Sequence, residues 1–149
     1  MPNKKKPADH ALHLENQLCF TLYSTSLAMT KLYKPLLEAI GLTYPQYLVM
    51  LVLWEEDGLT VSEIGEHLFL NSGTLTPLLK RMEANGLLAR LRDSEDERRV
   101  HVKLTAAGSL LKVKAEDIPS CIHDMTGCSL IELVSLTQNI KKFRQRLMD

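Results

Sequence analysis

Cys19, near the N-terminus, is the residue best suited to chemistry. It lies in an amphipathic helical stretch, with Tyr23 one helical turn further on and with Tyr33 and Tyr44 in the same N-terminal region. Phenol hydroxyls donate hydrogen bonds, and a thiol that receives them in an apolar environment is stabilised as the reactive thiolate. The plainer interpretation is that Cys19 is a small buried hydrophobe, as most free cysteines are. At this point both interpretations stand.

Two further cysteines, Cys121 and Cys128, lie towards the C-terminal end. An odd number of cysteines without C-x-x-C spacing argues against a structural disulfide framework and against a zinc ribbon. We therefore expect a reducing cytoplasm, where any disulfide is transient and linked to redox chemistry. The possible ligands of a metal sensor are His10, His13, Cys19, His67, His101 and His123. They make no H-x3-H pair on one helix face, so we expect no bound metal.

The N-terminal half of the chain shows helical periodicity. A first long helix is predicted over residues 13–33, where apolar side chains recur at three- and four-residue intervals. Pro35 then predicts a bend or a restart, because proline has no amide donor and clashes with the preceding turn. A short helix over 35–40 follows. A hydrophobic helix over 45–56, capped by Thr43, is expected to be buried on most sides.

Two short helices joined by a tight turn come next, which is typical of a helix-turn-helix. A capping-box pattern begins the first of them, over residues 62–68. The second ends at Gly86, a residue that favours helix termination. Its start is either Ser72 or close to Thr76, because Pro77 is most compatible with the first turn of a helix.

A β-hairpin is predicted directly after the two short helices. Residues 87–92 and 100–104 alternate, contain β-favouring residues and flank a charged stretch. A winged helix is the simplest arrangement of these parts. Two C-terminal helices are predicted over 105–118 and 129–148, with both C-terminal cysteines in the loop between them.

These elements predict a mainly α protein with a small β-hairpin wing: a winged helix-turn-helix that dimerises through its N- and C-terminal helices. At 149 residues the chain fits one domain. Residues 1–12 are expected to form a flexible basic arm, and residues 13–149 a single winged-helix domain. We place its DNA-binding part at about 45–105 and its dimerisation helices at about 13–40 and 105–148.

Charge is polarised along the chain, although the formal net charge is zero. Residues 76–114 carry nine Lys or Arg against five Asp or Glu, an excess of four, whereas residues 1–75 carry five against eight, a deficit of three. The basic segment covers the second short helix and the hairpin, where a winged helix meets DNA. No run of about 18 apolar residues occurs, and no apolar segment follows the N-terminal lysines. Neither a membrane span nor a signal peptide is therefore expected.

The second short helix is expected to enter the major groove of double-stranded DNA. Hydroxyls at its start suit phosphate contacts, basic residues neutralise phosphates or pair with guanine, and a wing-tip arginine suits the minor groove. The alternative is that the hydroxyls are helix caps and the basic residues a solvated face. The combination favours DNA binding. The predicted contact residues are Ser72, Thr74, Thr76, Lys80, Arg81, Arg98 and Arg99.

Four motifs carry a resemblance to a known family. They are Gln17-Leu18-Cys19-Phe20-Thr21-Leu22-Tyr23-Ser24, Leu42-Thr43-Tyr44-Pro45-Gln46-Tyr47, Ser72-Gly73-Thr74-Leu75-Thr76-Pro77-Leu78-Leu79-Lys80-Arg81, and the wing signature Asp96-Glu97-Arg98 followed by Leu104-Thr105. Over about residues 12–148 the chain resembles the OhrR branch of the MarR family of winged-helix transcription regulators. The resemblance implies a homodimeric repressor of a pseudo-palindromic operator, induced by an organic hydroperoxide.

The resemblance also implies roles around the thiol. Cys19 would be the peroxidatic cysteine, Tyr33 and Tyr44 would hydrogen-bond it across the dimer interface, and Tyr23 would lie near its pocket. An apolar environment would favour organic over hydrogen peroxide, because it accepts an alkyl or acyl tail. The apolar residues expected there include Phe20, Met50 and Trp54.

At the wing, the resemblance makes Arg98 the tip arginine and Asp96 the acidic residue that orients it. In the two-cysteine subclass a C-terminal cysteine of the partner subunit resolves the oxidised thiol. In this chain the position expected for the resolving cysteine is Asp124, so the resemblance is weaker at the C-terminal end. We favour Cys121 as the resolving cysteine, while a helix N-terminus, which favours a thiolate, argues for Cys128.

Two other functions fit parts of this sequence. A regulator of the same fold could release DNA on binding a phenolic ligand, with Cys19 only lining the pocket. A thiol peroxidase would use the same cysteine chemistry with turnover, but would not need the arginine-tipped hairpin. The expected protein is therefore not an enzyme, and no cofactor is expected.

Overall fold

The computed structural model describes residues 7–149. Within that range eight α-helices, one turn of 3-10 helix and one two-stranded antiparallel sheet follow along the chain. They are α1 (Pro7–Ala11), the 3-10 turn (Leu14–Asn16), α2 (Leu18–Glu38), α3 (Tyr44–Glu55), α4 (Val61–Leu68), α5 (Ser72–Ala84), β1 (Leu88–Arg92), β2 (Val100–Leu104), α6 (Ala106–Ala115), α7 (Ile118–Thr126) and α8 (Leu130–Met148). Residues 1–6 of the predicted basic arm lie outside the described residues, and residues 7–11 of that arm are helical.

Helix α2 differs from its prediction at both ends. It runs without interruption through Pro35 to Glu38, where the sequence predicted a bend or a restart. Pro35 removes one backbone hydrogen bond to the preceding turn, and the helix continues despite this loss. The helix predicted over residues 13–33 also begins later, at Leu18, because the backbone of Gln17 is extended.

Capping boxes begin α3 and α4. The Gln46 amide donates to the Thr43 hydroxyl (3.4 Å) and the Thr43 amide to the Gln46 side chain (3.1 Å). At α4 the Glu63 amide donates to the Thr60 hydroxyl (3.2 Å) and the Thr60 amide to the Glu63 carboxylate (3.0 Å). Each box satisfies two amides that the first helical turn leaves without partners, which explains why these starts were predictable from sequence.

The helix-turn-helix core is formed mainly by α3, α4 and α5. Ile64 of α4 packs with the apolar face of α5 and with the hydrophobic helix α3. The sequence predicted that α3 is buried on most sides, but Leu51 is 41% exposed, so the helix is buried less completely than predicted. The fully buried residues of this core include Val49, Met50, Leu53, Ile64, Leu75, Leu79 and Met82.

Helix α5 begins at Ser72, the earlier of its two predicted starts. The Asn71 side chain caps it by accepting a hydrogen bond from the Thr74 amide (2.8 Å). Pro77 therefore lies inside the helix and removes one backbone hydrogen bond. The Asn71 cap and the burial of Leu75 stabilise the earlier start.

The predicted hairpin is present and forms the wing. Strands β1 and β2 pair antiparallel, from Leu88 opposite Leu104 to Arg92 opposite Val100. The buried Val102 amide donates to the carbonyl of Leu59 (2.8 Å), which ties the wing to the segment before α4. The wing and the helix-turn-helix are thus one packed unit.

The C-terminal region has three helices, not the predicted two. The segment expected to be a loop forms α7, so Cys121 lies in a helix. Pro119 occupies an early helical position, where its missing amide costs little, and Gly127 ends the helix with a φ of 68°. Ile118 and Ile122 of α7 are buried in the core.

Apolar side chains remain exposed at both ends of the chain. In the described chain α8 has no buried residue, and apolar side chains of both α8 and the N-terminal segment are exposed. An exposed apolar surface of this extent marks an interaction site. The residues concerned include Leu14, Leu18, Leu27, Leu130, Ile131, Val134 and Leu136. No helix of the described chain is both long and apolar enough to span a membrane.

Candidate functional site

A groove of about 450 Å³ lies between the start of α4, the start of α5 and the wing. It brings together four residues that the sequence placed at DNA: Ser72 and Thr76 of α5, and Arg98 and Arg99 of the wing. Hydroxyl and guanidinium groups around one concave surface suit a phosphate backbone and base edges. The remaining lining residues are Thr60, Val61, Ser62, Glu63 and Val100.

Three other predicted contact residues lie on α5 outside this lining. Thr74 is exposed in the first turn, where its amide is used by the Asn71 cap. Lys80 and Arg81 are exposed further along the helix. A single α5 in a major groove presents its first turns to bases and its later basic residues to phosphates.

The wing-tip arginine is held by its own neighbour. The Arg98 Nε donates to Asp96 Oδ1 (3.2 Å), and the Arg98 amide donates to the same oxygen (3.1 Å). The Arg98 side chain is 92% exposed, so this ion pair adds little stability. Its effect is to orient a cation that projects from the wing.

A second wing pair was not predicted. His101 Nε2 lies 3.0 Å from Asp93 Oδ2, and its Nδ1 lies 3.2 Å from the carbonyl oxygen of Gly58. Both partners are acceptors, so both ring nitrogens donate when the ring is the imidazolium. These two hydrogen bonds, with Asp93 the stronger cause, raise the pKa of His101. The hydrogen bond from His101 lowers the pKa of Asp93, helped by the Glu95 amide.

The wing pair predicts a pH dependence. The contribution of His101 to folding is complete below its ordinary pKa of 6.5 and is lost as the pH rises through its raised folded value. The contribution of Asp93 to folding is present above its ordinary pKa of 3.8 and is lost as the pH falls through its lowered pKa in the folded state. We expect Asp93→Asn to move the pKa of His101 down towards 6.5 in an NMR titration, with the wild-type protein as reference. An unmoved His101 titration would contradict the pairing.

Cys19 lies in the first turn of α2, and its side chain is exposed. The plainer interpretation, that Cys19 is a small buried hydrophobe, is therefore wrong for the single chain. Phe20 is partly exposed beside it, and Tyr23, one turn further on, is 64% exposed. An exposed thiol is open to solution or to a second chain.

The other phenols form a cluster away from Cys19. The ring centroids of Tyr33 and Tyr44 are 5.0 Å apart, and Tyr47, which was not among the predicted site residues, lies 5.8 Å from Tyr33 and 6.4 Å from Tyr44. Tyr47 follows Tyr44 by three residues on a helix, a spacing that could have revealed it. Burial raises the pKa of Tyr33, Tyr44 and Tyr47, and the neighbouring phenols add to the effect for Tyr33 and Tyr47. These hydroxyls therefore stay protonated donors at neutral pH.

One chain cannot join the thiol to this cluster along α2. Cys19 and Tyr33 are 14 residues apart on one continuous helix. At 1.5 Å per residue, their α-carbons are separated by about 21 Å. A phenol that donates to Cys19 in this geometry must come from elsewhere than Tyr33 of the same chain.

Two predicted pocket residues have structural partners. Met50 is fully buried in the core, and Trp54 Nε1 donates to the carbonyl of Gly108 (2.9 Å), joining α3 to α6. The pocket next to the phenol cluster has a different lining. It has a volume of about 330 Å³ and includes Leu37, Leu42 and Tyr44.

The three cysteines, all within the described residues, are free thiols. Cys121 is half-buried on α7. Cys128 is exposed, in the short connection between Gly127 and Ser129, the cap of α8, and its Sγ lies 3.6 Å from the Thr126 carbonyl oxygen. The thiols thus differ in access to solution.

This chain is similar to known transcription regulators. A family profile described as the transcriptional regulator SarA/Rot matches residues 31–115. The organic hydroperoxide resistance transcriptional regulator of Bacillus subtilis is 60% identical over 128 residues, covering 86% of each chain. The regulator TtmR of Methylorubrum extorquens is 50% identical over 139 residues, 93% of this chain and 71% of that one.

A solved structure of reduced AbfR bound to DNA is also similar. It is 36% identical, with a TM-score of 0.78, over 95% of this chain and 99% of that one. A structure of AbfR with its disulfide formed is 37% identical and covers 95% of this chain and 94% of that one, but its TM-score is 0.61. The conformation described here is therefore closer to the reduced, DNA-bound relative than to the disulfide form.

Proposed function

This chain belongs to the MarR family of winged-helix transcription regulators, in the branch of the organic hydroperoxide resistance regulators, and on that premise we propose that it is a DNA-binding repressor controlled by oxidation of Cys19. The relatives are transcription regulators, so we infer that peroxide oxidises each protein molecule once, which releases it from DNA. The protein does not consume peroxide catalytically. The three free thiols and the DNA target fit action in a reducing cytoplasm.

The groove between α5 and the wing is the observation that carries the proposal. It gathers Ser72, Thr76, Arg98 and Arg99 from two separate elements onto one surface. We place α5 in the major groove and Arg98 in the flanking minor groove of the operator. In a homodimer the two α5 helices would lie about 34 Å apart, one turn of DNA, and bind a pseudo-palindrome.

Replacing Arg98 by alanine tests the DNA interface. We expect operator affinity to fall about 5- to 150-fold, the equivalent of 1–3 kcal/mol, and the salt dependence of binding to lose about one unit of slope. Fluorescence anisotropy on an operator duplex obtained by selection from random DNA measures both. Lys114→Ala, which removes an equal charge on α6 away from the groove lining, is the matched control. Equal affinity of Arg98→Ala and wild type would exclude this interface.

The exposed apolar surfaces support the homodimer. The N-terminal segment and α8 together present apolar side chains that one chain leaves in water. A second copy would cover them and would also supply the phenols that α2 holds about 21 Å away from its own Cys19. We therefore propose that Tyr33 and Tyr44 of one chain donate to Cys19 of the other, and that the redox site is complete only in the dimer.

The proposed chemistry conserves atoms and electrons. The Cys19 thiolate attacks one peroxide oxygen of an organic hydroperoxide, the O–O bond breaks, and the alcohol leaves after taking a proton. The product is a Cys19 sulfenic acid, the reversible first stage of cysteine oxidation. A partner thiol then attacks this sulfur, a disulfide forms and water leaves.

The cavity beside the phenol cluster supports an organic peroxide. Its walls include Leu37, Leu42 and Tyr44, and its volume of about 330 Å³ accepts an alkyl group that hydrogen peroxide lacks. Burying each methylene of such a group contributes about 0.8 kcal/mol. We propose that this cavity selects the hydroperoxide for the Cys19 of the facing chain.

The access of the C-terminal thiols supports Cys128 as the resolving cysteine. Sequence favoured Cys121, but that side chain is half-buried on α7, which packs against α2 of its own chain. Cys128 is exposed in a connection next to Gly127. A disulfide requires the two α-carbons to lie within about 7 Å, so the segment that carries the resolving cysteine has to approach Cys19. An exposed thiol in a short loop makes this approach with less loss of packing than a half-buried thiol on a packed helix.

A further inference from the structure

The turn of the helix-turn-helix, residues 69–71, has an unusual backbone. Phe69 adopts φ 58° and ψ 36°, and it is the only residue other than glycine with a positive φ among the described residues. A left-handed conformation is costly for a side chain with a β-carbon. The surrounding contacts therefore have to hold Phe69 in place.

The turn couples the end of α4 to the start of α5. The amides of Phe69 and Leu70 both return to the carbonyl of Gly65, the latter at 3.0 Å. A β-carbon at Gly65 would lie 2.6 Å from the Leu70 carbonyl oxygen, so the backbone segments are in close contact. Asn71 then caps α5. A displacement of the turn thus moves Ser72 and the DNA-reading end of α5.

Helix α8 contacts this turn. The Arg144 guanidinium carbon lies 4.2 Å from the centroid of the Phe69 ring, within the range of a cation–π contact. Met148, one turn further along α8, lines an open groove of about 600 Å³ together with Phe69, Leu70 and Ser72. The end of α8 therefore lies against the turn, although in the described chain none of its residues is buried.

We propose that Arg144 is a positioning residue for DNA recognition, which acts by holding the Phe69 turn against α8. Because α8 is one continuous helix from Leu130 to Met148, a shift of its body moves Arg144 with it. The orientation of α5 then depends on where α8 lies. This inference rests on the proposed DNA binding and adds a residue that lies outside the groove lining and need not touch DNA.

The contact is tested by comparing Arg144→Ala with Arg146→Ala. Both remove one exposed positive charge from the last turns of α8, but only Arg144 lies over a ring. We expect Arg144→Ala to lower the affinity for the selected operator DNA about two- to fivefold. This loss is the equivalent of about 0.5–1 kcal/mol for an exposed cation–π contact, at 1.4 kcal/mol per factor of ten. Arg146→Ala should leave the affinity unchanged, and Arg144→Lys should restore most of it. Equal losses in both alanine variants would indicate a general charge effect and overturn the proposal.

A double-mutant cycle separates positioning from charge. Phe69→Leu removes the ring face and keeps a side chain of similar polarity, so in that background Arg144→Ala should cause no further loss of affinity. Additive losses would overturn the proposal. Wild-type binding to the selected operator is the reference: its absence would contradict the proposed function, whereas wild-type binding without coupling would contradict only the role of Arg144. Thermal unfolding of each variant verifies that it is folded.

Discussion

Cys19→Ser is expected to bind operator DNA with wild-type affinity and to remain bound when cumene hydroperoxide is added. The side chain is exposed and makes no contribution to the described core, so a hydroxyl in place of the thiol costs little stability. Serine has no sulfur atom, so it cannot form a sulfenic acid, and its hydroxyl does not replace the thiolate as the nucleophile that attacks the peroxide. Wild-type protein should dissociate once its thiols are oxidised. Anisotropy on a labelled duplex before and after stoichiometric peroxide measures the difference.

The C-terminal cysteines provide matched controls for this experiment. Cys121→Ser should still form an intersubunit disulfide on a non-reducing gel, whereas Cys128→Ser should not. Dissociation of Cys19→Ser by peroxide would exclude Cys19 as the sensor and leave the DNA interface untouched. A disulfide that survives in Cys128→Ser but is lost in Cys121→Ser would reverse our assignment of the resolving cysteine.

Gly108→Ala is expected to destabilise the fold by about 1–3 kcal/mol, the usual cost of overpacking. A β-carbon at Gly108 would lie 2.1 Å from the carbonyl oxygen of Leu87 and 3.2 Å from a methyl group of Leu104. That carbonyl also accepts the Thr105 amide (3.1 Å), so it cannot withdraw without disturbing the cap of α6. Urea denaturation followed by the fluorescence of Trp54, whose ring donates to Gly108, reports on this region.

Ala107→Leu is the control for helix α6. Position 107 is exposed in the same helix, so added bulk there should change the free energy of unfolding by less than about 0.5 kcal/mol. A Gly108→Ala variant as stable as wild type would contradict the close approach of α6 to the start of the wing.

Most of the elements were predictable because their signals are local. The capping boxes at Thr43 and Thr60 and the alternation in the wing strands mark element boundaries within a few residues of sequence. The bend predicted at Pro35 was wrong for the opposite reason, and so was the loop predicted in place of α7, which has Pro119 in its first turn. The cost of a proline depends on how much helix precedes it, and whether that cost is met depends on what the helix packs against, which is not written in the neighbouring residues.

The sequence by itself determined the winged-helix architecture, the thiol at position 19 and the hydroxyl and arginine residues that line the groove between α5 and the wing, because side-chain chemistry and helical or strand periodicity are local properties. Only the tertiary structure decided which of these groups meet. It separated Cys19 from Tyr33 by the length of one helix and paired His101 with Asp93. It also laid Arg144 on Phe69, 75 positions away in the chain. Such contacts depend on how whole helices pack, since residues far apart in sequence come together only when buried faces fix the position of their elements.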